Sequence, residues 1–157
     1  MERGRDERRD LSQVSSLKAL DLNNNAISNR GAAHLSPLRN LTWLDLGGTH
    51  VDDEGVRHIR ELRQLEYLGL SGLDVGNASL KYAKDMSRLR MLNLDRTQIS
   101  DRGLPQLYGL KQLEYVSLIS SKCTRRGIAD VRQTLGDDAR CRFCNRARSV
   151  AVARWVD

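Results

Sequence analysis

A phrase of 24 residues recurs five times without insertion, opening at Leu17, Leu41, Leu65, Leu89 and Leu113. A fixed period of this length constrains the fold more than composition does. Each copy must be one supersecondary unit that buries its apolar face against the next. With the first leucine of a copy as position 1, position 4 holds Leu20, Leu44, Leu68, Leu92 and Val116. Position 6 holds Leu22, Leu46, Leu70, Leu94 and Leu118, and position 11 holds Ile27, Val51, Val75, Ile99 and Cys123. Apolar residues then fall at positions 16, 19 and 22, as in Leu104, Leu107 and Leu110. Alternation by two reads as strand and spacing by three as helix. One copy is therefore strand, turn, helix and return.

Helix punctuation agrees with this reading. Ser28 and Asn29, Asp52 and Asp53, and Ser100 and Asp101 stand where a helix would begin, and such side chains accept bonds from free backbone N–H groups. Arg39, Arg63, Arg88 and Lys111 stand where it would end, complementing the helix dipole. Position 15 is Gly31, Gly55, Gly103 and Gly127, with Ser79 in the third copy. Glycine in a first turn weakens a helix, so the pattern predicts close approach of neighbouring backbones.

The 157 residues are 39% hydrophobic but only 4% aromatic, so aliphatic side chains must fill the core. The formal charge of +6 is unevenly spread. Residues 1–10 carry four Arg and four acids, residues 122–157 carry nine Lys or Arg against four Asp, and the body between is about +1. No apolar run is long enough to cross a bilayer. The opening MERGRDERRD has no apolar signal core. Three cysteines, Cys123, Cys141 and Cys144, do not make a disulfide framework. These features together predict a cytoplasmic protein.

The motif Leu-x-x-Leu-x-Leu-x-x-Thr-x-Ile-x-Asp-x-Gly-Leu-x-x-Leu-x-x-Leu, read from Leu89 to Leu110, resembles a leucine-rich repeat. It is most similar to the ribonuclease-inhibitor-like and cysteine-containing types with a convex helix, and to planctomycete-type bacterial arrays. The resemblance implies an α/β solenoid, a right-handed, curved horseshoe with a parallel sheet on the concave face and α-helices on the convex face. It covers residues 11–143, with a closing strand near 141–143, between a charged segment at 1–10 and a tail at 144–157. Copy three departs most, with Leu73 at position 9 and Ala83 at position 19. Leu11 and Val14 match positions 19 and 22 of a preceding copy. Residues 5–15 are thus either a polar cap or the remnant of a longer array, and the protein a monomer or a fragment of that array.

Strands pack about 4.8 Å apart and helices about 8–10 Å apart, so the sheet must line the inside of the curve. If positions 4 and 6 point inward, alternation sends positions 3, 5 and 7 into the hollow. Position 3 reads Ala19, Trp43, Tyr67, Met91 and Tyr115; position 5 reads Asp21, Asp45, Gly69, Asn93 and Ser117. Position 7 reads Asn23, Gly47, Ser71, Asp95 and Ile119. Three of the seven aromatic residues stand in one row, and none of these fifteen places holds Lys or Arg. Aromatic and methionine side chains beside polar ones are what interface hot spots are made of. The candidate partner-binding residues are Trp43, Tyr67, Met91, Tyr115, Asp21, Asp45, Asn93 and Asp95. The expected partner is a protein or peptide, with basic groups to meet the acids. The competing reading is that large residues at position 3 simply favour strand pairing.

Nucleic acid fits poorly, because phosphates need cations beside the stacking rings. The cations Arg57, Arg60, Lys81, Lys84 and Arg132 lie on the helical side, and Arg140, Arg142, Arg146 and Arg148 near the end. An enzyme fits worse. Cys141 and Cys144 make one C-x-x-C, short of the four ligands a structural zinc needs, and His34, His50 and His58 belong to early copies. No cofactor, metal or catalytic residue is expected. The sequence predicts a non-enzymatic interaction module. The alternative is the substrate-recognition part of a larger assembly, such as a ubiquitin-ligase adaptor or a secreted effector.

Overall fold

In each copy, positions 3–5 are extended and pair with the same positions of the next copy. A computed structural model describes residues 16–135, which form five strands in one parallel sheet in chain order. The strands are β1 (Ala19–Asp21), β2 (Trp43–Asp45), β3 (Tyr67–Gly69), β4 (Met91–Asn93) and β5 (Tyr115–Ser117). Register is identical throughout: Leu20 faces Leu44, Leu44 faces Leu68, Leu68 faces Leu92 and Leu92 faces Val116. Between strands run α1 (Asn29–Ala33), α2 (Asp53–His58), α3 (Asn77–Ala83) and, after β5, α4 (Arg125–Leu135). The closing strand near 141–143, the 1–10 segment and the 144–157 tail lie outside the described residues, as do Cys141 and Cys144.

Copy four departs from the expected α-helix. Leu104–Gly109 is a 3-10 helix with Pro105 in its first turn. Proline supplies no N–H there, and a 3-10 helix rises about 2.0 Å per residue against 1.5 Å, so a short segment covers the same distance. The copy with the most regular sequence therefore has the least regular helix.

The core fills the space between sheet and helices. Leu44, Leu68, Leu92 and Val116 at position 4 are fully buried, with Leu46, Leu70, Leu94, Val51, Val75 and Ile99 beside them. The helices contribute Val56, Leu80, Leu104 and Leu107, and the returns that follow them contribute Ile59, Leu62, Met86 and Leu110. Copy three keeps this packing. Leu73 turns into the core where Thr49, Thr97 and Ser121 instead donate to the carbonyls of Leu46, Leu94 and Leu118.

The polar residues predicted as caps act mostly between copies. Asp52 does cap its own helix, accepting from the Glu54 N–H at 2.8 Å. Position 13 instead reaches the following copy. Asn29 accepts from the Asp52 N–H at 3.0 Å, Asp53 from the Gly76 N–H at 2.8 Å, Asn77 from the Ser100 N–H at 3.0 Å and Asp101 from the Thr124 N–H at 2.8 Å. This ladder also explains position 15, where crowding comes from side chains and not from neighbouring backbones. A Cβ on Gly55 would lie 2.6 Å from Asn29 Oδ1, and one on Gly103 or Gly127 would run into Asn77 or Asp101. Ser79 is the exception because its hydroxyl and N–H both donate to Asp53. Among the described residues no buried side-chain nitrogen or oxygen lacks a hydrogen-bond partner.

The basic residues read as helix-end charges lie beyond the helices. Arg39 and Arg63 each follow a helix that has ended residues earlier, at Ala33 and His58, outside the reach of its dipole. Arg63 approaches Glu61 at 3.5 Å, and Arg88 donates to Gln64 of the previous copy at 2.7 Å.

Leu44→Ala removes a fully buried side chain and is expected to lower unfolding free energy by about 2–5 kcal/mol, measured by urea denaturation. Gly103→Ala is expected to lose about 1–3 kcal/mol through overlap with Asn77. That loss should shrink when Asn77→Ala is added, read from a double-mutant cycle.

Candidate functional site

The row at position 3 is a consequence of register. Ala19, Trp43, Tyr67, Met91 and Tyr115 pair strand to strand in that order. Trp43, Tyr67, Met91 and Tyr115 are half-buried and Ala19 is exposed. Trp43 and Tyr67 stack with ring centroids 4.9 Å apart and planes 9° from parallel. A centroid separation equal to the strand spacing means that the rings stand across the row, face against face.

Position 5 supports this pair from beside it. The Tyr67 hydroxyl donates to Asp45 Oδ2 at 3.1 Å, while Asp45 Oδ1 accepts from the Gly47 N–H at 2.8 Å. Gly69 makes this possible, because a Cβ there would overlap the Asp45 carboxylate. Burial raises the Tyr67 phenol pKa well above its ordinary value, and the neighbouring Asp45 charge opposes the phenolate further.

The other polar site residues also bind their own backbone or a neighbour. Asp21 accepts from the Asn23 N–H at 2.9 Å and Asn93 from the Asp95 N–H at 3.0 Å. Asp95 accepts from the Ile119 N–H at 2.7 Å and from the Ser117 hydroxyl. The structure brings Trp43, Tyr67 and Asp45 into direct contact and sets Met91 and Tyr115 along the same row. Asp95 is turned towards the fifth copy.

Two features escaped the sequence reading. Position 8 is left-handed in every copy: Asn24, Gly48, Gly72, Arg96 and Ser120 have φ between 55° and 72°. Asn24, Gly48 and Gly72 carry the residue types that signal this conformation, whereas Arg96 and Ser120 hide it. The second is a cross-copy ion pair, Arg90 to Glu114 at 2.7 Å, between strand entrances 24 residues apart. It bounds an open hollow lined by Glu66, Ser87, Arg88, Arg90 and Gln112.

On the helical side Arg57 pairs with Glu54, and His58 lies 3.6 Å from the same carboxylate. His34 is exposed. Cys123 is half-buried and burial raises its thiol pKa, the reverse of a reactive thiolate. Among the described residues no three His, Cys, Asp or Glu side chains gather as a metal site, and no helix is long and apolar enough to cross a membrane.

Tyr67→Phe is expected to lower stability by about 1 kcal/mol at neutral pH through loss of the bond to Asp45. The folded state holds the phenol protonated above its unfolded value of about 10. Its stabilisation is therefore complete below that pH and is lost as pH rises through the folded-state value. The difference between Tyr67→Phe and the parent protein should narrow above pH ~10 in denaturant titrations.

A family model described as leucine-rich repeat matches residues 15–36 and 38–59. No curated protein matches the chain at a significant level. Among solved structures, the internalin inlF of Listeria monocytogenes superposes with a TM-score of 0.68 at 22% identity, over 88% of this chain and 37% of that one. Internalin C2 of the same organism gives 0.64 at 26% identity, over 74% and 49%. The C-terminal domain of Caenorhabditis elegans tropomodulin gives 0.65 at 15% identity, over 85% and 93%. The chain thus spans less than half the length of either internalin. The two repeats matched by the family model, the one parallel sheet in constant register and the shared architecture together show that residues 16–135 carry the leucine-rich-repeat fold.

Proposed function

We propose that this protein is a non-enzymatic, cytoplasmic interaction module that holds a protein or peptide on the concave face of its sheet. The family match and the likeness to internalins support a protein–protein interaction module. The observation that carries the finer reading is the row of Trp43, Tyr67, Met91 and Tyr115. Four large side chains stand in register on the open face, half-buried, although the core beneath is already filled by position 4. Rings and a thioether of this kind supply contact area at low entropic cost. Asp45 at position 5 holds Tyr67, and Tyr67 stacks on Trp43, before any partner arrives, which favours binding through preorganisation. Nucleic acid is a poorer fit, since positions 3, 5 and 7 hold no Lys or Arg.

The test is a comparison of partner capture by the parent protein and by Trp43→Ala/Tyr67→Ala, followed by titration of the identified partner in purified form. The double variant is expected to keep cooperative unfolding with a moderate loss of about 1–3 kcal/mol, since the stack is half-buried. Partner affinity should fall at least about tenfold. Undiminished affinity in the folded double variant would assign the row to strand pairing alone.

A further inference from the structure

Among the described residues the row at position 3 ends at Ala19. Tyr67 covers one face of the Trp43 ring, and the rings stand across the row, so the other face looks towards the first copy. The residue in register there is Ala19, which is exposed and whose methyl group is too small to cover an indole. Within the described row that methyl alone stands in register with this face of the indole, and the place above it is termed the slot.

Its neighbours at position 5 are Asp21 and Asp45, directly opposite each other in register. Like charges so placed repel. Asp45 is turned over Gly69, where its two oxygens accept from the Gly47 N–H and the Tyr67 hydroxyl, whereas Asp21 accepts from the Asn23 N–H, a neutral donor, and supplies the negative charge on the side of the slot. Resting on the concave-face reading above, we infer that this slot takes an arginine side chain of the bound partner. A guanidinium is flat enough to lie on the free indole face, and its charge is attracted by the ring. Its edge N–H groups can donate to the Asp21 carboxylate, which a compact ammonium cannot do while stacked. Apolar Met91, Tyr115 and Ile119 further along then meet the less polar part of the same partner. The recognised segment carries its positive charge at the end that meets copies one and two.

The probe is a capped glycyl-arginyl-glycine peptide, titrated into the full chain with Trp155→Phe so that Trp43 is the sole tryptophan. Trp43 fluorescence and its indole N–H resonance are followed. The arginine peptide should give a saturable response at about millimolar concentration, and matched citrulline and lysine peptides should bind at least about tenfold and threefold more weakly. Ala19→Leu, which covers the free indole face and leaves the Trp43–Tyr67 contact in place, should abolish the response at an unchanged melting temperature. Asp21→Asn should weaken it about threefold or more. No response to the arginine peptide, equal responses to citrulline or lysine, or a full response in Ala19→Leu would overturn the assignment. So would a response that emerges only when Arg3, Arg5, Arg8 and Arg9 are all changed to Gln, since the chain's own arginines would then hold the slot. Peptide binding and partner capture are separate measurements. Failure of the peptide with a retained effect of Trp43→Ala/Tyr67→Ala on the partner removes the arginine slot alone; loss of that effect removes the concave-face reading.

Discussion

Each copy is tied to the next by a side chain offered to its backbone. Asn29, Asp53, Asn77 and Asp101 accept the N–H at position 12 of the following copy, at 2.8–3.0 Å. On the other side of the core, the β ladder joins the same copies. Two rails, one of backbone bonds and one of carboxylates and carboxamides, therefore fix both sides of each copy relative to its neighbour. The leucines between them can pack only if both rails keep the same 24-residue step. An insertion of one residue would break one rail and reverse the strand's faces. This is the physical reason that five copies follow one another without insertion.

The rails also set what the open face can display. Because register never slips, whatever stands at positions 3, 5 and 7 is repeated at strand spacing, and neighbours touch. Trp43 meets Tyr67 for this reason, and Asp45 meets Tyr67 because Gly69 leaves the space. The acids on this face consequently have two roles. Asp95 bonds the Ser117 hydroxyl and the Ile119 N–H, much as position 13 does on the other rail. Asp21, at the exposed end, bonds only the Asn23 N–H among the hydrogen bonds described for it. Charge on the face is thus unevenly available: it is committed to the scaffold towards copy five and open towards copy one.

Much of this was legible from spacing. Position 4 leucines had to be core because alternation and period left them no other place, and all but Leu20 of the first copy are fully buried. The rows at positions 3, 5 and 7 could be written down for the same reason. Other features were hidden because they depend on a residue one copy away. Asn77 looks like a helix cap until Ser100 is beside it, and Gly103 looks like a flaw in a helix until Asn77 is seen to occupy its missing methyl's place. Arg96 and Ser120 gave no sign of left-handed backbone by residue type, and the Arg96 N–H finds its acceptor one copy away, at the Ile119 carbonyl.

From its order of residues alone, this chain specifies the repeat, the parallel stack and which side chains share a row. Those follow from local periodicity, and periodicity is written along one dimension. Which ring covers which, which carboxylate is already engaged and which indole face has only a methyl group in register were settled by packing. Such contacts depend on side-chain length and free space between copies, as Ala19 beside Trp43 and Gly69 beside Asp45 show. The sequence names these residues 24 apart; only their stacking brings them to within reach of one another.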